Sequence, residues 1–218
     1  KDGDSVLYVG RNQPNAGGGY GYGVIRFDAA QAVADQLAPG ETFTLTKAYV
    51  GLPYANSTGP VSLSYPLYVL SAGAGWDETT ATWDTRDGTN PWPAAWVGGG
   101  APPAANVVGG PETLLEGVTA ANPYSVGQHL WDVTATVQAY LDGSLANNGW
   151  LIHAVYGTSG GASGSWTSES STYAGQYGQP YLVLVGEVTQ AAPIPEPATM
   201  ALLAGGVAAV GLRRRRGA

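Results

Sequence analysis

The chain has no cysteine, one methionine, two phenylalanines and two histidines among its 218 residues. Without cysteine there can be no disulfide framework, thiol nucleophile or thiolate zinc site. With only His129 and His153, and no His-Glu-x-x-His pattern, a histidine-rich zinc site is excluded as well. Charged residues are 11% of the chain, against about 25% in an average soluble domain, which argues against a helical bundle or coiled coil. Positive charge is scarcest. Before the terminal Arg213, Arg214, Arg215 and Arg216 the only bases are Lys1, Arg11, Arg26, Lys47 and Arg86, so residues 1–197 carry five basic against sixteen acidic groups, a net −11. A body of that sign repels phosphate backbones, which excludes nucleic acid as a partner. No repeat of fixed period is present, which argues against a solenoid or propeller.

What the chain does have is glycine (33), proline (15), tyrosine (13) and tryptophan (7). Its length suits one domain with a tail. Short stretches rich in Val, Leu, Ile, Thr, Tyr or Trp recur at 5–9, 23–27, 42–52, 61–70, 80–83, 150–155, 165–168 and 181–188. Turn dipeptides such as Asp87-Gly88 and Asn148-Gly149 separate them. Many short strands without intervening helical periods predict an all-β protein, a jelly-roll β-sandwich. One short helix is expected after Asp132, because Val133, Val137, Tyr140 and Leu141 form a single apolar stripe and Gly143 follows. Residues 88–127 read as a long connection, either functional or mobile.

The C-terminus is a separate unit. Pro193-Ile194-Pro195-Glu196-Pro197 is followed by an uncharged segment, 198–212, and then by the four arginines. Fifteen helical residues rise about 22 Å, short of the roughly 30 Å hydrocarbon core, and snorkelling arginines can cover part of the difference. The positive-inside rule puts the arginines in the cytoplasm and the body on the outer side. This arrangement of Pro195-Glu196-Pro197, apolar helical tail and terminal arginines resembles the PEP-CTERM sorting signal of Gram-negative bacteria. The resemblance implies export, transient anchoring in the inner membrane, recognition by an exosortase and an association with exopolysaccharide and biofilm. The domain boundary is accordingly expected between 1–190 and 191–218. An exported protein needs a signal peptide, so residue 1 is expected not to be the start of the gene product.

The body carries a second likeness. Val6-Leu7-Tyr8-Val9-Gly10, Gly23-Val24-Ile25-Arg26-Phe27-Asp28, and Trp76-Asp77-Glu78-Thr79-Thr80-Ala81-Thr82-Trp83-Asp84 are followed by Trp131-Asp132-Val133-Thr134, Asn148-Gly149-Trp150-Leu151, Ser168-Glu169-Ser170 and Gln179-Pro180-Tyr181-Leu182. In this order they resemble the DNRLRE domain, a jelly-roll module of bacterial and archaeal surface proteins. The sequence departs from that pattern in having only four residues before Ser5, where the family has a further strand, and in having Gln179 where Arg is common. A missing first strand would leave a sheet edge open to another chain.

The resemblance implies carbohydrate binding, and sugars need Trp and Tyr because the apolar C–H face of a pyranose covers an aromatic ring. Trp76, Trp83, Trp131 and Trp150, inside the recurring motifs, read as core residues. Trp92, Trp96 and Trp166 lie in polar Gly/Ser settings and are the candidate ligand-binding residues, with Trp92 and Trp96 read equally as core. The charge balance favours a neutral glycan, or an acidic one bridged by a divalent cation. Arg26 is expected to pair internally, with Asp132 or Glu169. No metal site is predicted, and calcium is the one metal the composition allows, with Asp84 and Asp87 as its candidate ligands. Gly157-Thr158-Ser159-Gly160-Gly161 fits the nucleophile pattern of hydrolases, but both histidines precede it, the wrong order for that fold. Two carboxylates such as Glu78 and Asp84 are all a glycosidase needs, but strand alternation explains their spacing. The sequence therefore reads as no enzyme, but as a secreted, surface or matrix protein that associates with exopolysaccharide. The alternative is a structural subunit that self-associates by strand exchange into an extracellular filament or layer.

Overall fold

The computed structural model describes residues 6–11, 20–58, 65–96, 101–116, 127–153, 163–167 and 179–190, with 6–11, 20–21, 54–58, 116, 127 and 163–167 described as backbone. An 18-residue strand, β4 (Glu41–Thr58), organises them. Around it run β1 (Val6–Arg11), β2 (Tyr20–Gly21), β7 (Thr113–Glu116), β8 (Gly127–Asp132) and β10 (Ser163–Thr167), in the order β2-β1-β10-β4-β8-β7, while β11 (Tyr181–Gln190) also pairs with β4. A second sheet has the order β3-β9-β5-β6, from β3 (Gly23–Ile25), β5 (Leu67–Leu70), β6 (Val107–Val108) and β9 (Trp150–Ile152). All described pairings are antiparallel.

The period of two sets the core. Ala48, Val50 and Leu52 of β4 and Trp131 of β8 point inward and meet Leu67 and Val69 of β5 and Trp150 and Ile152 of β9 in one buried cluster. The alternate residues of the second sheet, Val24, Tyr68, Leu70 and Leu151, face the other way into a second cluster with Trp92 and Trp96. Trp150-Leu151-Ile152 is therefore apolar without interruption because its sheet is covered on both faces.

The expected helix is present as α2 (Thr134–Leu141), with Val133 as the capping residue. Asp132 Oδ1 accepts from the Thr134 N–H at 3.0 Å and from its hydroxyl, and Gly143, at φ 74°, lies just beyond the last turn. Lys47 Nζ pairs with Asp132 Oδ2 at 2.9 Å. The Thr134 hydroxyl and then Lys47 hold the Asp132 carboxyl down to about 2. Arg26 therefore does not take Asp132. Its guanidinium lies over the Trp76 ring, 5.3 Å from the centroid, and Glu169 lies outside the described residues.

Three further expectations change. A second helix, α1 (Ala29–Ala34), is present, started by Asp28, whose Oδ1 accepts from the Gln31 N–H at 2.9 Å. It buries only Ala29, so it leaves no periodic stripe in the sequence. Residues 80–83 are a turn and not a strand, and the described part of the 88–127 connection holds β6, β7 and a packed loop. The strand expected at 61–70 is Leu67–Leu70, with 61–64 outside the described residues.

His129 is buried between the Trp131 ring, stacked at 5.5 Å, and the edge of Tyr65. Burial pushes its pKa down to about 4 and lowers that of His153 as well. The unfolded chain binds these protons near pH 6.5, while the folded chain holds His129 neutral until about pH 4, so stability falls as pH drops through that window. The urea midpoint is expected to decline from pH 7 to pH 4.5. His129→Phe, which keeps the stack, should flatten the slope by about one proton; an unchanged slope would remove His129 from this account.

Candidate functional site: an aromatic platform on the outer lobe

Residues 71–96 and 101–106 form a lobe over the outer face of the second sheet. Its base is closed by Ser71, whose N–H donates to the Asn106 carbonyl at 3.0 Å and whose hydroxyl donates to the Ala105 carbonyl at 2.7 Å. The fully buried Asn106 side chain clamps Ala94, accepting from its N–H and donating to its carbonyl at 2.8 Å each. Asn148 reaches across from the β9 side to donate to the Ser71 carbonyl at 2.7 Å. These amide bonds replace the ladder that a strand would have supplied.

Inside the lobe, Asp77 Oδ1 accepts the N–H and hydroxyl of both Thr79 and Thr80, winding residues 77–81 into a turn. A second tight turn follows: Thr82 N–H donates to the Thr85 carbonyl at 2.7 Å, and Thr85 N–H donates back to the Thr82 hydroxyl at 3.0 Å. Trp83 and Asp84 occupy its tip. The turn is fixed from below by Trp92, whose indole N–H donates to the Thr82 carbonyl at 3.0 Å.

The consequence is an exposed aromatic stack. Trp83 is 40% exposed, and its ring stacks on Tyr22 at 5.4 Å and 23°. Tyr22 in turn stacks on His153 at 5.0 Å and packs against Trp96 at 4.9 Å, while Trp96 meets Trp92 edge-on at 5.1 Å. Burial lowers the pKa of His153, and its Nδ1 has no hydrogen-bond partner among the described residues. The platform is rigid because each ring is backed by another.

Trp92 and Trp96, the ligand candidates from sequence, are 7% and 8% exposed and form the base of this stack. They have no open face for a sugar, because the lobe folds down onto the second sheet and buries them. Trp83, read from sequence as core, is the exposed ring. The signal that could have found it is the Thr82-Trp83-Asp84-Thr85 string, since Thr on both sides of two residues favours a hydroxyl-closed turn over a strand. The backbone of Trp166 lies in β10, opposite Leu7 and Tyr54, and its side chain is outside the described residues.

The lobe is acidic. Residues 71–106 contain Asp77, Glu78, Asp84 and Asp87 against Arg86 alone. Asp87 Oδ1 accepts from the N–H groups of Thr89 and Asn90 and its Oδ2 from the Asn90 amide, which lowers its pKa to about 2. Asp77 is lowered too, chiefly by the Thr79 and Thr80 hydroxyls. Arg86 is turned inward, donating to the Gly75 carbonyl at 3.0 Å. The candidate calcium ligand Asp87 is thus a turn lock, and among the described residues no three Asp, Glu or His side chains converge as a metal set.

Two antiparallel sheets with few helices define a mostly β, sandwich-like protein that presents an aromatic platform on its outer lobe. Beyond this body, residues 193–216 match the PEP-CTERM protein-sorting motif, which takes in Pro195, Glu196, Pro197 and Arg213, Arg214, Arg215 and Arg216. The motif implies export in a Gram-negative bacterium and processing by an exosortase. A search of the curated proteins gives no match to the chain. The sorting residues lie outside the described residues, and among those described no helix is long and apolar enough to cross a membrane.

Proposed function

We propose that this is a non-catalytic surface or matrix protein, a jelly roll of the DNRLRE type, that holds exopolysaccharide on the Trp83–Tyr22 platform after its sorting tail has anchored it transiently in the inner membrane. One observation carries the reading: a tryptophan face is held out at the tip of a locked turn and backed by a stacked tyrosine. An exposed indole of this kind suits the C–H face of a pyranose, with loop carboxylates and hydroxyls beside it for the sugar's hydroxyl groups. Export supports the reading, because the polymer and the protein then share a compartment.

The test is retention on affinity gels containing the host exopolysaccharide, with and without calcium. Trp83→Ala is expected to keep the far-ultraviolet spectrum and thermal midpoint and to lose retention by about tenfold or more, the loss of one stacked ring being worth roughly 1.5 kcal/mol. Equal retention of the variant and the parent would overturn the assignment of the platform. A second reading, a structural subunit assembled by strand exchange, draws on β11: among the described residues it pairs with β4 alone and exposes Val183, Val185 and Val188. A strictly monomeric protein in concentrated solution, by sedimentation, would reject that reading.

A further inference from the structure

We infer that the polymer recognised at Trp83 is an amino sugar carrying free, protonated amines; the inference rests on the glycan-binding reading above and names its ligand class. Stacking alone does not choose among sugars, because every pyranose has a C–H face. Charge does. Asp84 shares the turn tip with Trp83, and Glu78 is exposed on the same lobe. Within residues 71–106 four carboxylates face one cation, Arg86, whose guanidinium donates to the Gly75 carbonyl, and Arg26 lies over Trp76.

Asp77 and Asp87 are held ionised by their own turns, so the lobe keeps its negative sign into mildly acidic solution. Residues 1–197 add a background of sixteen acidic against five basic groups. An ammonium beside a stacked pyranose gains twice, from the carboxylates and from the negative π-face of the indole. A uronate at the same position loses on both counts. The molecule already holds one cation over an indole, Arg26 on Trp76.

The experiment titrates the purified full-length chain, followed by tryptophan fluorescence, with three probes of equal length: a fully deacetylated glucosamine hexamer, its N-acetylated counterpart and a hexauronate. The deacetylated hexamer is expected to bind about fivefold tighter than the acetylated one at low salt, the upper end of what one surface ion pair contributes. The preference should shrink to within about twofold at roughly 0.5 M salt, where screening acts over a few ångströms. Asp84→Asn with Glu78→Gln should remove the preference and keep binding of the acetylated hexamer, while Trp83→Ala should weaken binding of both hexamers about tenfold or more. Equal affinity for the two hexamers in the parent protein, or tighter binding of the uronate, would overturn the ligand class and leave glycan binding standing. Absence of Trp83-dependent binding to any probe would overturn both. The salt comparison needs no variant, so the inference is testable even if the double substitution misfolds.

Discussion

Replacing Trp150 with alanine is expected to remove about 4 kcal/mol of stability, within the range for emptying a buried aromatic site. Trp150 is completely buried between the two sheets. Its ring takes the edge of Tyr140 at 5.4 Å and leans on Phe27 at 6.5 Å, so both lose a packing partner at once. Its indole N–H also donates to Glu112 Oε1 at 3.1 Å, the same oxygen that accepts from the Thr136 hydroxyl. Alanine leaves that half-buried carboxylate one donor short, which adds to the cavity term. With a denaturant dependence of about 2 kcal/mol per molar, the urea midpoint should fall by about 2 M. A shift under about 0.5 M would mean that the two sheets do not close on this ring.

The neighbouring residue should be nearly as sensitive for a different reason. Gly149 has φ 78°, and a Cβ there would lie 2.2 Å from the Ile25 carbonyl oxygen and 2.9 Å from the Arg26 Cα. Gly149→Ala is therefore expected to cost about 3 kcal/mol, roughly 1 for the left-handed backbone and the rest for pushing β3 off β9. Gly143 separates the two terms. It has φ 74° with nothing within 4 Å of its would-be Cβ, so Gly143→Ala should cost only about 1 kcal/mol. Equal losses at the two positions, by urea denaturation, would show that close packing at Gly149 is not the cause. Because Gly149 and Trp150 adjoin, the double variant should lose less than the sum.

Much of the scaffold was legible. The stretches at 42–52 and 181–188, rich in Val, Leu, Thr and Tyr, form β4 and β11, and the single stripe from Val133 to Leu141 with Gly143 beyond it forms α2. Local chemistry was less so where side chains replace the backbone ladder. Residues 80–83 look like a strand because Thr and Trp favour strands, yet Asp77 and the Thr82–Thr85 pair fold them into turns. The 88–127 connection looks loose because it is rich in Gly, Pro and Ala, yet Asn106 clamps Ala94 and buries Trp92 and Trp96. The role of Glu112, bridging α2 and β9, has no local signature at all, since its partners are 24 and 38 residues away.

By itself the sequence determined two things: a β-rich body, through the spacing of its apolar residues, and an export address, through the sorting motif at residues 193–216. Both are local properties, readable within a window of a few residues or a few tens. Which tryptophan meets the solvent was decided only by the tertiary structure. Trp83, Trp92 and Trp96 sit within fourteen residues of one another in similar polar surroundings, and no local pattern ranks them. Exposure depends on which face of the lobe lies on the second sheet, and that follows from Ser71 meeting Ala105 and Asn106 and from Asn148 reaching Ser71 across 77 residues. Those closures turn Trp92 and Trp96 into the core and leave Trp83 outside.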